Sequence, residues 1–240
     1  MTGRLLDARS SVVQLTEQST GEKMEFKLAL LGGGGHASDI LGLIEDIERL
    51  SNQKIGPIVV ADDFWERRSR FAGRNVELIS GIENAFSQAT HFIATVGYPA
   101  ARKLVTDKAL AAGLKPYKPL THPLVNVNPD QFKLGDGSVV LGMCSISPMV
   151  EIGEHCYVSH AVLIGHDTRL GRYATLMPGA SVSGNVTVGE SVLVGSGAVV
   201  LEDLSLGEGA VIGAGAVVIK DVAAGVTVVG NPARPLSKKS

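Results

Sequence analysis

Residues 182–218 read VSGNVT VGESVL VGSGAV VLEDLS LGEGAV IGAGAV V, and each group of six begins with an aliphatic residue. An amphipathic helix would place its apolar residues three and four positions apart, and a half-exposed strand would alternate. A strict period of six fits neither pattern, so the repeat itself decides the fold. The frame holds without a slip at fifteen successive aliphatic positions, namely Leu134, Val140, Ile146, Ile152, Val158, Ile164, Leu170, Leu176, Val182, Val188, Val194, Val200, Leu206, Ile212 and Val218.

The other positions of each hexad follow rules of their own. The fourth residue after each aliphatic one is uncharged throughout, and the third is often Gly, Asn or Asp. These three residue types adopt positive φ at little cost, so the chain can turn once in every hexad. Short parallel strands stacked in this way form a β-solenoid with a continuous core. Three hexads in each coil predict a triangular prism, and fifteen hexads predict about five coils.

A strand, a glycine turn and a helix precede the repeat. The segment FKLALL at 26–31 is an apolar strand, and it runs into GGGGHA at 32–37. The residues that follow have apolar side chains at helical spacing, so this is the opening of a nucleotide-binding βαβ unit. The glycines let the backbone approach a phosphate, and the helix N-terminus favours its negative charge.

Strands and helices continue to alternate up to about residue 120, which predicts a small parallel sheet. The second strand ends in Asp62-Asp63, a pair that fits either a ribose contact or a solvated loop. About 100 residues are too few for both halves of a dinucleotide-binding domain, which disfavours an NAD enzyme. The prolines of the segment 115–120 place it at the sheet edge or outside the sheet. The other elements predicted are strands at 58–61, 76–79 and 91–96 and helices at 81–89 and 98–113.

These patterns divide the chain into five segments. They are a polar extension at 1–23, a small Rossmann-like domain at 24–120, a linker at 121–133, the solenoid at 134–222 and a closing segment at 223–240.

Composition narrows the function classes. The formal net charge is −2, so no global field draws the chain to nucleic acid or to a membrane. The only cysteines, Cys144 and Cys156, fall at the interior position of the repeat and are expected to be buried thiols. No metal-ligand spacing is present, so no metal is expected. The first 23 residues lack the apolar core of a signal peptide, which favours the cytoplasm.

The combination of a GGGGHA turn, an Asp-Asp pair, the hexads and the ending GNPAR at 230–234 resembles one family. It is similar to the hexapeptide-repeat sugar acetyltransferases, which include the bacterial nucleotide-4-amino-sugar N-acetyltransferases of the bacillosamine and perosamine type and the sialic acid O-acetyltransferases. The resemblance covers residues 26 to about 236. It implies a left-handed parallel β-helix, acetyl-CoA as the donor, and a homotrimer with active sites between subunits.

The resemblance also implies roles for particular residues. His166 matches the general base, and Asp167 matches the acidic residue that holds its imidazole. The other histidine weighed as a base, His160, lies one hexad earlier and so on a different corner. The positions that match coenzyme-lining residues are Thr175, Gly184, Ser196, Gly213 and Ala214. Those that match the nucleotide-sugar site are Gly34, Gly35, His36, Asp62, Asp63 and Gly97.

The predicted reaction is direct attack by an amine on the acetyl thioester in a ternary complex, with an N–H group, that of Gly184 for example, stabilising the oxyanion. The preferred acceptor is the 4-amino group of a nucleotide-linked 4-amino-4,6-dideoxy sugar. One alternative is O-acetylation of a sugar of the sialic acid type at the same site. The other is a solenoid that binds a nucleotide without catalysis, although such a module has no use for a His166-Asp167 pair.

Overall fold

A computed structural model describes residues 26–236, apart from the side chain of Trp65. The extension predicted at 1–23 and the last four residues of the closing segment lie outside the described residues. The elements of the N-terminal part are β1 (Leu28–Leu31), α1 (Gly35–Ser51), β2 (Ile58–Asp62), a 3-10 helix (Trp65–Phe71), β3 (Glu77–Ser80), a 3-10 helix (Ile82–Ala85), β4 (His91–Ala94), α2 (Pro99–Ala111) and β5 (Lys115–Pro116). The five strands form a parallel sheet in the order β3-β2-β1-β4-β5.

Burial explains the central strands of this sheet. All residues of β1 and β2 are buried, because both faces of the sheet are covered and such strands need continuous apolar sequence. The two-residue strand β5 pairs with β4 at the edge, where a proline removes no ladder hydrogen bond that the sheet needs. The edge prediction is confirmed. The helix predicted at 81–89 is only the short 3-10 helix Ile82–Ala85.

The repeat forms a three-sided prism of parallel strands. The first face holds Leu120–Thr121, Val139–Val140, Tyr157–Val158, Thr175–Leu176, Leu193–Val194, Val211–Ile212 and Thr227–Val229, with Arg234–Pro235 added antiparallel. The second face holds Ser145–Ile146, Leu163–Ile164, Ser181–Val182, Val199–Val200 and Val217–Val218. The third face holds Phe132–Leu134, Val150–Ile152, Arg169–Leu170, Thr187–Val188 and Ser205–Leu206. The predicted parallel β-helix is confirmed; its left-handed sense stays a prediction.

Three corners join the faces, and every turn except 220–221 has one residue at positive φ. The first corner, between the third and first faces, contains 136–137, 154–155, 172–173, 190–191 and 208–209. The second, between the first and second faces, contains 142–143, 160–161, 178–179, 196–197 and 214–215. The third, between the second and third faces, contains 148–149, 166–167, 184–185, 202–203 and 220–221. The third residue after the aliphatic one has positive φ in every hexad, from Gly137 to Gly215, as the frame predicts.

The predicted domain boundaries need correction at both ends of the prism. The linker assigned to 121–133 is the first coil, because Leu120–Thr121 pairs with Val139–Val140, Asn126 bridges to Ser145, and a short 3-10 helix (Pro129–Gln131) leads into the third face. At the other end, Thr227–Val229 continues the first face beyond the predicted limit of residue 222. A strand that pairs with the next coil satisfies its backbone groups there, so it belongs to the solenoid and not to a linker.

The N-terminal sheet packs on the first face of the prism. Leu120, Val139, Leu141 and Tyr157 share one buried cluster with the apolar face of α1. The interior of the prism is a separate cluster of aliphatic residues with Cys144 and Cys156 among them, which confirms that both thiols are buried. This packing fixes the orientation of the glycine turn relative to the β-helix.

Candidate active site

A crevice opens at the centre of the N-terminal sheet. From β1 the chain continues to β2 on one side of the sheet, whereas from β4 it continues to β5 on the other side. The direction in which strands are added therefore reverses between β1 and β4. Ligands of open parallel sheets bind at such a point, outside the carboxyl ends of the strands. Gly34 is the N-cap of α1, and a Cβ at Gly34 or Gly35 would meet nothing within 4 Å. The start of a 17-residue helix therefore faces open space and favours an anion there.

The acidic pair after β2 supports the wall of this crevice. Asp62 is buried, and its carboxylate accepts hydrogen bonds from the N–H of Gly33 and, at 2.6 Å, from that of Phe64. A Cβ at Gly33 would lie 2.6 Å from the Asp62 carboxylate, so only glycine fits here. Asp63 is exposed and accepts a 2.9 Å bond from the N–H of Ile82. Asp62 thus shapes the glycine turn, and the predicted ribose contact by either residue stays a prediction.

His36 links the crevice to the prism. Its ring lies 4.3 Å from that of Tyr157, centroid to centroid, and a Cβ at Gly97 would lie 2.5 Å from its Cε1. Burial is the main reason that the pKa of His36 lies below its ordinary value, so the imidazole is neutral at pH 7. The Tyr157 hydroxyl donates to Asp39 of the same helix at 3.1 Å. His36 therefore orders the turn and the Gly97 segment at once.

The third corner presents the predicted base. The side chain of His166 is 69% exposed, and its Nδ1 lies 2.9 Å from Oδ2 of Asp167. A carboxylate can only accept, so Nδ1 carries the proton and Nε2 is left as the acceptor. Asp167 has φ of 59°, a conformation that aspartate tolerates. A Cβ at Gly184, one coil further, would lie 2.7 Å from Nε2, so glycine leaves the reactive nitrogen accessible.

The residues predicted to line the coenzyme are not all in one place. Ser196 and Ala214 are exposed at the second corner, one coil apart, where the Gly215 N–H donates to the Ser196 carbonyl at 2.9 Å. Gly213 lies against the strand Thr227–Val229, since a Cβ there would be 2.7 Å from Cγ1 of Val229. Gly184 lies at the third corner, beside the base.

The surroundings of Thr175 do not fit the coenzyme contact that the resemblance implies. Its side chain is fully buried on the first face, where its hydroxyl accepts a 2.7 Å hydrogen bond from Nη2 of Arg102. The same hydroxyl lies 3.5 Å from the Gly97 carbonyl. A side chain sealed between the two parts of the molecule has no surface to offer a coenzyme. Thr175 is therefore a packing contact beneath the N-terminal sheet.

One chain does not bring the predicted groups together. The N-terminal sheet covers the first face, whereas His166, Asp167 and Gly184 lie on the third corner, which is the edge of the prism opposite that face. Ser196 and Ala214 lie on the second corner, at the other side of the second face. The base and the nucleotide crevice of a single chain therefore face different directions.

Sequence reasoning missed two features beside the crevice. A cavity of about 380 Å³ lies between α1 and the second corner, with Ser38, Asp39, Met143 and His160 among its lining residues. Arg102 is buried between α2 and the first corner. The sequence contained one signal of this burial, because Arg102 lies on the same helical face as Thr106 and Ala109.

Two kinds of feature are absent from the described part of the chain. Among residues 26–236 no helix is long and apolar enough to cross a membrane. Within the same range no group of three or more His, Cys, Asp or Glu side chains is arranged to hold a metal ion.

Comparison with known proteins agrees with the repeat and the crevice. Residues 185–220 match the family described as "Bacterial transferase hexapeptide (six repeats)". The chain is 29% identical over 221 residues to GDP-perosamine N-acetyltransferase of Escherichia coli O157:H7, across 87% of this chain and 96% of the relative.

Solved structures agree over nearly the whole chain. The acetyltransferase domain of PglB from Neisseria gonorrhoeae FA1090 superimposes with a TM-score of 0.76 at 30% identity, across 88% of this chain and 99% of that one. It is also known in complex with acetyl coenzyme A. PerB from Caulobacter crescentus, in complex with CoA and GDP-perosamine, superimposes with a TM-score of 0.74 at 26% identity, across 90% of this chain and 99% of that one. The chain therefore belongs to the hexapeptide-repeat acetyltransferases, the family that its sequence predicts.

Proposed function

We propose that this protein transfers the acetyl group of acetyl-CoA to the amino group of a nucleotide-linked amino sugar of the 4-amino-4,6-dideoxy type. The relatives support this, since one is a GDP-perosamine N-acetyltransferase and another is solved with acetyl coenzyme A. The observation that carries the proposal is the exposed His166–Asp167 pair, whose Nε2 lies beside Gly184 and has no hydrogen-bond partner within residues 26–236. A binding module without catalysis would gain nothing from this arrangement.

The proposed chemistry needs positioning of the two reactants and one imidazole that accepts a proton and then gives it up. The sugar amine attacks the thioester carbonyl, and Nε2 of His166 accepts the proton that the nitrogen loses as the C–N bond forms. The C–S bond then breaks, and the imidazolium gives its proton to the departing thiolate, so that CoA leaves as the thiol and His166 is neutral again. Among the described residues the Gly184 N–H has no hydrogen-bond acceptor, so it can donate to the carbonyl oxygen as negative charge develops.

No cysteine is needed for this reaction, and neither is suited to take part. Cys144 and Cys156 are buried inside the prism. Burial raises the pKa of both thiols, that of Cys156 to about 12, so neither forms a thiolate near neutral pH. Direct transfer without an acetyl-enzyme intermediate is therefore the mechanism that the side chains support.

We propose further that three chains assemble through their second faces. The outward residues of this face are uncharged, and Leu163, on the strand next to the Ser145–Ile146 edge, is 51% exposed. Its outward strand residues are Ser145, Leu163, Ser181, Val199 and Val217. The third face differs, because Lys133, Glu151 and Arg169 form ion pairs on it and suit it to water. An uncharged face with exposed apolar residues is typical of an interface.

Such an assembly would complete the site. Around a threefold axis the third corner of one chain lies next to the second corner of its neighbour. His166 would then face the neighbour's Ser196 and Ala214, and the cavity between the neighbour's α1 and second corner. The acetyl donor, the acceptor and the base would meet between two subunits, although they are far apart in one.

The first experiment measures free thiol release from acetyl-CoA with a panel of UDP-, GDP- and dTDP-linked 4-amino sugars, and with sialic acid alongside. Turnover with one nucleotide amine is the expected result, and it would also identify the nucleotide. Turnover with sialic acid alone would replace N-acetylation by O-acetylation with the same base. No turnover and no binding of coenzyme A would leave a module without catalytic function.

Two variants test the shared site. Gly34→Val should block the acceptor crevice without disturbing the fold, because φ of −78° suits any residue and the space beyond is open. His166→Asn should remove the base. When the two inactive chains are co-expressed, random trimers should regain about a quarter of the wild-type sites, each built from two different chains. Absence of any recovery would show that each chain carries a whole site.

A further inference from the structure

Arg102 has an unusual environment for an arginine. It lies in the first turn of α2, and its side chain is only 3% exposed. Buried arginines are normally paired with a carboxylate. Arg102 forms no ion pair with any described residue, and all its hydrogen bonds go to neutral oxygens. A buried cation without a carboxylate requires an explanation.

The guanidinium group binds the two parts of the molecule at once. Towards the β-helix, Nε donates to the His155 carbonyl at 2.9 Å, and Nη2 donates to the Tyr173 carbonyl at 2.6 Å and to the Thr175 hydroxyl at 2.7 Å. Towards the N-terminal sheet, Nη1 donates to the carbonyls of Val96 and Gly97 at 2.9 and 3.0 Å. Each guanidinium nitrogen is used, so the group bridges the first corner and the segment after β4.

That segment lines the crevice. Gly97 contacts the His36 ring, which also packs on Tyr157 of the prism. Two side chains thus fix the position of Gly97 relative to the β-helix: Arg102 donates to its carbonyl, and the His36 ring packs against it. The charge of Arg102 also acts on the crevice, since it contributes to the lowered pKa of His36. Arg102 itself stays cationic, because burial lowers its pKa only to about 10.

We propose that Arg102 is a positioning residue, which fixes the nucleotide crevice to the β-helix so that the bound acceptor reaches the base at the correct angle. This rests on the function proposed above, since it assumes that the crevice holds the acceptor. Arg102 touches neither reactant and acts through Gly97 and His36. Misplacement of a reactant by about 1 Å can cost on the order of 10²-fold in rate.

The decisive variant is Arg102→Met, which keeps the aliphatic stem and removes every donor. The expected result is a fall in kcat/KM for the acceptor on the order of 10²-fold, with an unchanged Kd for acetyl-CoA. Arg102→Lys keeps the charge but offers three donors, so it should recover about a tenth of the lost activity or more. The matched control is Arg172→Met, which removes an exposed cation of the same corner and should change little.

Hydrogen exchange supplies a readout that is independent of catalysis. In Arg102→Met the amides of 95–98 and those of 173–175 should exchange at least about tenfold faster, while those inside the prism stay protected. An acceptor kcat/KM within about twofold of wild type would overturn the proposal, as would equal losses for acceptor and acetyl-CoA. If the wild type acetylates no nucleotide sugar, the proposed function fails, and unchanged exchange at both segments would then refute the bridge as well.

Discussion

The first and third corners of the prism each carry a histidine, and the two side chains have opposite properties. His155 is 2% exposed and stacks between Phe92 and Tyr173, with ring centroids 5.9 and 5.3 Å away. The side chain of His166 is 69% exposed, and among the described residues its ring is bonded only to the neighbouring Asp167. Both corners have the same backbone turn, in which His155 is the residue with positive φ and His166 is the residue before it. The two corners differ in what packs against them, because the N-terminal part of the chain covers the first corner and leaves the third open.

The comparison is tested most strongly by His166→Asn. Loss of a general base typically lowers turnover about 10²- to 10⁴-fold, so we expect a fall on the order of 10³-fold in kcat. The melting temperature should stay the same, because the side chain is exposed and packs against little. Steady-state thiol release and a thermal scan measure the two effects. Glu202→Gln, at the same repeat position two coils further on, is the control; equal loss in that variant would remove the special role of His166.

His155 should instead affect stability, and its effect should depend on pH. Burial lowers its pKa from 6.5 to about 4 in the folded protein, and nearby Arg172 and Arg102 add to this. The unfolded chain therefore binds an extra proton between these pH values, so the free energy of unfolding falls as the pH falls through this window. From the shift, His155 contributes about 3 kcal/mol above pH 6.5 that is lost near pH 4.

Denaturant unfolding at several pH values between 4 and 7 measures this contribution. His155→Asn is the matched variant, since asparagine tolerates the φ of 55° at this position and does not titrate. Its stability should be lower at pH 7, and it should vary less with pH than that of the wild type. Parallel pH profiles for the two proteins would show that His155 does not titrate differently on folding.

In the proposed trimer a neighbouring chain completes the site at the third corner, and Leu163→Glu tests this assembly. Three carboxylates close to a common axis should oppose assembly by several kcal/mol. Turnover per chain should then fall about tenfold or more at submicromolar concentration and recover partly as the concentration rises. Sedimentation measures the assembly. Thr187→Glu places the same charge on the exposed third face and should leave both properties unchanged. A fully active Leu163→Glu monomer would contradict the shared site.

The same contrast explains what could be predicted from the sequence. The hexad is a local pattern, so it predicted the turns even at Met143, Ala161 and Tyr173, whose residue types disfavour positive φ. It did not predict the first coil, where Thr121 pairs with Val140, nineteen residues on, whereas Val140 pairs with Val158, eighteen residues on. The extra residue breaks the period of six, so this coil looks like a linker.

Contacts between distant parts of the chain could not be predicted either. Arg102 bonds to oxygens of residues 53 to 73 positions away, and nothing in the repeat indicates which face the N-terminal sheet covers. The resemblance matches Thr175 to a coenzyme contact, but the long-range contact with Arg102 buries its side chain. The His166-Asp167 pair was predictable because both members are adjacent in sequence and lie on an uncovered turn.

The smallest expected effect is that of Asp167→Asn, which distinguishes the role of Asp167 from that of His166. Asp167→Asn keeps the shape and the tolerance for φ of 59° but lacks the negative charge that favours the imidazolium formed during transfer. Exposed ion pairs are worth at most about 1 kcal/mol, so kcat should fall only about fivefold while KM for the acceptor stays the same. Asp203→Asn, two coils further on and without a histidine beside it, is the control. A loss as large as that of His166→Asn would mean that the pair is shielded from water during the reaction, as the neighbouring subunit would make it, because a charge counts for more where solvent is excluded.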